Sequence, residues 1–187
     1  MKHVPTAVLA VILTACQTAP EPGLIEVSGN TLRFGSRSWP CAVGRNGIIA
    51  KDDKREGDGC TPAGEYAIRE LFFRPDKLPP PVTAIPLVRL KPTDGWCDDP
   101  THSDYNRKIN LPFPASHEVM WRKDDLYDLV AVIGYNDDPP ISSRGSAIFL
   151  HIATPRYKGT AGCIALAKNH LLELLPLLPE NARIRIR

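Results

Sequence analysis

His151-Ile-Ala-Thr-Pro-Arg-Tyr-Lys-Gly-Thr-Ala-Gly-Cys163-Ile-Ala-Leu166 is the stretch on which the reading of this chain turns. A histidine ends an apolar run, a short polar loop follows, and a cysteine stands behind a glycine just ahead of a predicted helix. A thiol attacks carbon as its thiolate, and a neighbouring imidazole is a common way to lower its pKa. The spacing therefore points to cysteine-based acyl transfer, with Cys163 as nucleophile and His151 as base. Gly162 lets backbone and substrate approach closely. Free backbone N–H groups at such a turn suit the oxyanion of a tetrahedral intermediate. A free cysteine ordinarily packs as a small buried hydrophobe. Cys163 is set apart by His151 at the end of a core strand, with small and polar residues between the two.

Outward from this stretch, the flanking sequence reads as a β-rich domain. Leu126 to Tyr135 and Ser146 to Ile152 are dense apolar runs bounded by turn residues, the signature of central strands. Ala167 to Leu175 carries the apolar stripe of an amphipathic helix that Pro176 ends. Ala182 to Arg187 alternates and is expected as an edge strand. Leu24 to Val27 and Thr31 to Phe34 form a hairpin around Ser28-Gly29-Asn30, and Trp39 to Val43 is a third strand. Tyr66 to Ile68 and Leu87 to Leu90 are further short strands. Lys51 to Gly59 is expected as a solvated loop. Residues 73–125, rich in proline, read as long loops over a scaffold, candidates for a lid or binding surface.

The chain's 187 residues suit one domain with a sizeable core. A net charge of +2 gives no electrostatic case for nucleic acid as a partner. Lys2 followed by the apolar run Val4 to Ala15 reads as a signal peptide over residues 1–15, too short to span a bilayer. Residues 16–23 then form a linker, and 24–187 the catalytic domain. Leu13-Thr14-Ala15-Cys16 is similar to the lipobox of bacterial lipoproteins, which implies cleavage before Cys16 and its lipidation. Gln17 is not the Asp that retains many such lipoproteins in the inner membrane. The expected location is the periplasm, anchored through the lipid to the inner leaflet of the outer membrane. An oxidising compartment permits a disulfide among Cys41, Cys60 and Cys97, and Cys41–Cys97 is the favoured pair. No metal-ligand spacing is present, and no cofactor is called for.

The segment Thr160-Ala161-Gly162-Cys163-Ile164 after His151 resembles the catalytic signature of the YkuD-type L,D-transpeptidases. Thr61-Pro62-Ala63-Gly64-Glu65-Tyr66, with Gly57-Asp58-Gly59 before it, is similar to a second feature of that family. The resemblance covers roughly residues 24–187. It implies a mainly β, sandwich- or barrel-like catalytic fold with long irregular loops and one helix after the cysteine. Cys163 would attack the third-residue carbonyl of a peptidoglycan stem tetrapeptide and expel D-Ala, with His151 as base, a backbone carbonyl orienting its ring, and backbone N–H groups around Gly162 and Cys163 as the oxyanion hole. An amine would then take the acyl group: a second stem peptide, an outer-membrane lipoprotein, or a free D-amino acid. Two positions depart from the pattern. Ala161 stands where many members have His, and Ala165 where Asn or Arg is common. Substrate recognition is accordingly expected from Thr160, Tyr135, Asn136, Arg144 and Arg156. Two other readings stay open: a hydrolase of the same fold that cuts protein or peptide from peptidoglycan, and a non-catalytic peptidoglycan-binding lipoprotein.

Overall fold

The computed structural model describes residues 21–187. The expected signal peptide, the lipidation site Cys16 and most of the linker lie outside the described residues. Described first along the chain are β1 (Leu24–Ser28), β2 (Thr31–Phe34) and β3 (Arg37–Ala42), a meander as the turn residues require. Two short strands, β4 (Ile48–Ile49) and β5 (Thr61–Pro62), pair in parallel. There follow β6 (Gly64–Phe73), β7 (Leu87–Arg89), β8 (Asp94–Cys97), β9 (Lys108–Asn110) and β10 (His117–Val119). The chain closes with β11 (Leu129–Ile133), β12 (Phe149–Ile152), β13 (Ile164–Leu166), α1 (Lys168–Leu174), a 3-10 turn at Leu175–Leu177 and β14 (Arg183–Ile186).

The main sheet runs β11-β12-β13-β3-β2-β1-β14-β6-β7, and an additional β11–β6 pairing joins its ends. Eight strands thereby close into a barrel, leaving β7 as an outer strand on β6. Closure removes the exposed edges that an open sheet of this length would carry. Period-2 alternation then sorts the side chains. Leu129, Ala131 and Ile133 join the interior with Leu150, Ile152, Ile164 and Leu166. From the same strands, Val130, Val132 and Phe149 face outward into a second core with Trp96, Met120 and Leu90. Leu171 and Leu174 of α1 are fully buried in the interior cluster, so the helix closes the barrel.

Three expectations are corrected here. Ala182 to Arg187 is not an edge: β14 pairs in parallel with β1 and antiparallel with β6. Its alternation sends Ile184 and Ile186 into the core and leaves the arginines to pair with Glu65, Glu21 and Glu26 outside. Residues 73–125 are not merely loops: β10-β8-β9 form a separate three-stranded sheet whose Trp96 packs on Phe149, ring centroids 5.1 Å apart. Nor is Lys51 to Gly59 simply solvated. The Lys54 side chain is fully buried, its ammonium 2.7 Å from Asp58, because an unpaired buried charge would be costly.

The expected Cys41–Cys97 bridge does not form. Cys41 packs inside the barrel on β3, whereas Cys97 lies on β8 of the small sheet; both are free thiols, as are Cys60 and Cys163. Among the described residues no helix is long and apolar enough to cross a membrane.

Candidate active site

Strands β12 and β13 run parallel, with Leu150 opposite Ile164 and His151 opposite Ala165. Residues opposite each other in a sheet share a face, as do residues two apart along one strand. Cys163 precedes Ala165 by two, so the sulfur and the imidazole emerge on the same face. That face is the outward one, since Cys163 belongs to the second core while Ile164 points into the barrel. Leaving the barrel after Ile152 and re-entering at Ile164, the chain makes an eleven-residue excursion that sequence spacing alone leaves undefined. Cys163 stands immediately before a strand, β13, and the helix expected over Ala167 to Leu175 follows at Lys168–Leu174.

The Cys163 sulfur donates to the Ala147 carbonyl at 3.1 Å and accepts the Phe149 N–H at 3.4 Å. His151 places Nδ1 2.9 Å from the Ile152 carbonyl oxygen. A carbonyl only accepts, so Nδ1 carries the ring hydrogen and Nε2 keeps the lone pair. Tyr127 packs edge-on against the imidazole at 5.2 Å. Both groups are nearly closed off, 7 % exposed for Cys163 and 6 % for His151. Burial pushes the thiol up to about 12, with the Glu118 carboxylate adding to the rise. Burial likewise brings His151 down to about 4. The site therefore rests as neutral thiol and neutral imidazole, not as the thiolate the sequence suggested. Desolvation penalises the charged form of each group.

A clamp of hydroxyls shapes the turn before the sulfur. Thr160 Oγ1 donates to the Cys163 carbonyl at 2.6 Å and accepts the Gly162 N–H at 3.1 Å. Thr61 Oγ1 donates to the Gly162 carbonyl at 2.8 Å and accepts the Gly44 N–H at 2.7 Å. Gly162 has φ +144°, and a Cβ there would come 2.8 Å from the Cys60 carbonyl oxygen. The Thr61-Pro62 turn noticed in the sequence thus buttresses the Cys163 loop from β5.

Cys163, His151, Gly162 and Thr160 line one cavity of about 630 Å³ between the barrel and the small sheet. Of the expected substrate-binding residues, Thr160 alone is there, and its hydroxyl is committed to the turn. Tyr135, Asn136 and Arg144 line a different cleft. Tyr135 OH donates to the Arg144 carbonyl at 2.5 Å, and Asn136 Nδ2 donates to Gly145 at 2.9 Å. Arg156 is exposed in the turn before Tyr157 and lines neither space. Sequence reading missed the groups that complete the wall: Glu56, Asp98, Glu118, Arg122, Tyr127 and Lys158. Burial raises the Glu118 carboxyl although Tyr127 OH donates to it at 2.7 Å. Arg122 holds Asp124 through two hydrogen bonds of 2.8 and 2.6 Å. Tyr127 lies in a run read as a strand; the others come from segments read as loops, whose pairing carries no periodic signal. Among the described residues no group of three His, Cys, Asp or Glu is arranged to hold a metal ion.

Comparison with known proteins adds the following. A solved structure titled "Structure of Bdellovibrio bacteriovorus Bd1075" is similar at 16% identity and a TM-score of 0.44. The match covers 90% of this chain and 49% of that one, so the chain spans about half its length. No curated protein matches. The family model of the L,D-transpeptidase catalytic domain, YkuD, matches residues 25–186. That match takes in the whole barrel, the small sheet and the cavity between them, and the chain belongs to the YkuD family of L,D-transpeptidase catalytic domains.

Proposed function

We propose that this protein is a peptidoglycan L,D-transpeptidase in which Cys163 is the nucleophile and His151 the general base. The observation that carries the reading is their common face and common cavity, enforced by the β12–β13 register. Because both groups rest neutral, proton transfer accompanies attack. His151 Nε2 takes the thiol proton as Sγ bonds to the carbonyl carbon of the third stem-peptide residue. The backbone N–H of Cys163, and that of Gly162 once Thr160 releases it, stabilise the resulting oxyanion. The intermediate collapses by breaking the amide C–N bond. The imidazolium returns its proton to the departing D-Ala nitrogen, and a thioester remains. An acceptor amine then attacks that thioester, His151 takes the amine's proton, and the same proton returns to sulfur as the new amide forms.

Lys158 lines the cavity beside the Arg122–Asp124 pair and supplies positive charge for the donor's terminal carboxylate, in place of the substrate-binding residues first expected. Substrate closing the cavity would exclude water and so favour an amine acceptor over hydrolysis. Residues 1–16 support export and lipid attachment at Cys16, and hence a periplasmic protein at the outer membrane. Radiolabelled palmitate should mark the wild-type chain and not Cys16→Ala.

Incubation of purified protein with disaccharide tetrapeptides, read by mass spectrometry, tests the reaction. A 3→3 dimer or an exchanged terminal D-amino acid is expected, with Cys163→Ala at least about 10³-fold slower. Only tripeptide, from water as acceptor, would make the protein a hydrolase. No product and an inert thiol would leave a binding protein.

A further inference from the structure

Residues Gly145, Ser146 and Ala147 form a strap along one side of the sulfur, held at three successive positions by side chains from elsewhere. Tyr105 OH accepts the Gly145 N–H at 2.9 Å, and Glu56 accepts from Ser146 Oγ at 2.7 Å and from Tyr105 OH at 2.5 Å. Asn106 Oδ1 accepts the Ala147 N–H at 2.9 Å and Trp96 Nε1–H at 3.0 Å. Asn106 Nδ2 donates to the carbonyls of Tyr135 at 3.0 Å and Asn136 at 2.7 Å. All four hydrogen-bonding positions of this amide are filled, and its orientation follows, since one end meets only N–H groups and the other only carbonyls. Asn106 is 5 % exposed. Ala147 has φ +52°, unfavourable for a residue with a Cβ, so its backbone must be held by partners on either side. Its N–H is gripped by Asn106, and its carbonyl accepts the Cys163 thiol.

We propose that Asn106 is a positioning residue for Cys163: its side-chain oxygen fixes the backbone at Ala147 so that the Ala147 carbonyl, in the next peptide unit, and not the His151 imidazole, holds the thiol hydrogen at rest. The arrangement keeps the nucleophile protonated and chemically quiet until a substrate displaces it. The proposal builds on Cys163 as nucleophile but is read on the thiol itself. Other titratable or charged groups around the sulfur are His151, Tyr127, Glu118 and Lys54, and none is altered in the test.

Iodoacetamide alkylation of the Cys163 peptide, followed by mass spectrometry from pH 7 to 9.5, provides that test. Losing the S–H acceptor destabilises the neutral thiol, so Asn106→Ala should alkylate about tenfold faster at each pH, one unit of thiol pKa. Trp96→Phe, which removes the other donor to the same oxygen, should stay within roughly twofold of wild type. Equal rates in wild type and Asn106→Ala, or equal acceleration in both variants, would overturn the proposal. Should Asn106→Ala not fold, hydrogen exchange at the wild-type Ala147 amide decides: protection is expected, and exchange at the free-peptide rate refutes it. Faster alkylation with no muropeptide product would refute the transpeptidase reading and leave this one standing.

Discussion

His151 and Ala165 stand opposite each other on the parallel neighbours β12 and β13, and that single pairing places Cys163 on the same face as the imidazole. A shift of one residue would turn the sulfur into the barrel interior, where Ile164 now packs. The candidate chemistry thus depends on sheet register as much as on residue identity.

His151 makes the fold sensitive to acid. Its ring is brought down to about 4 by burial, against 6.5 in an open chain. Below pH 6.5 the unfolded chain binds a proton that the folded chain refuses until about pH 4. Stability is therefore full above 6.5 and falls across that window by about 3 kcal/mol. His151→Asn lacks this term, so urea unfolding at pH 7 and 4.5 should show a smaller loss for the variant. An equal loss in both proteins would contradict the assignment.

Glu118 raises the Cys163 thiol by its charge. Glu118→Gln keeps an oxygen for the Tyr127 hydroxyl and removes the charge. Alkylation of Cys163 at pH 8.5 should speed up by roughly two- to tenfold while thermal stability changes little. A slower variant would show that Glu118 does not oppose ionisation.

Gly162 cannot accept a side chain without moving the Cys60 backbone or the turn before Cys163. Gly162→Ala should cost roughly 1–3 kcal/mol and reduce acyl transfer far more than a surface change. Thr160→Val, which deletes the two clamp hydrogen bonds made by Thr160, should lower kcat by about tenfold or more. Steady-state rates and calorimetry on the two variants check both statements, and a fully active Gly162→Ala enzyme would contradict them.

Ile184 is fully buried on an interior strand, whereas Arg183 beside it pairs with Glu65 on the surface. Ile184→Ala should destabilise by about 2–5 kcal/mol and Arg183→Ala by less than about 1 kcal/mol. Chemical denaturation measures both. Comparable losses would mean that β14 is an edge after all.

Strands with a clean pattern were legible in the sequence. Leu129 to Ile133, Phe149 to Ile152 and the opening meander lie inside runs whose apolar density or alternation reports burial directly. The helix was legible from its stripe, with Leu171 and Leu174 inward as expected. β14 has as clear a pattern, yet its central place was invisible, because alternation reports one buried face and says nothing of how many neighbours a strand has. The small sheet was missed for another reason. Its strands are three or four residues long, separated by prolines and turns, and too short to show a period.

By itself the sequence determined the fold class, the glycine-backed cysteine and the histidine upstream of it, because these follow from residue type, spacing and local pattern. Tertiary structure alone decided which residues wall the cavity, that Cys41 and Cys97 stay apart, and that thiol and imidazole rest neutral. Those outcomes depend on sheet register and on how completely water is excluded, and both are set by contacts between segments far apart in the chain.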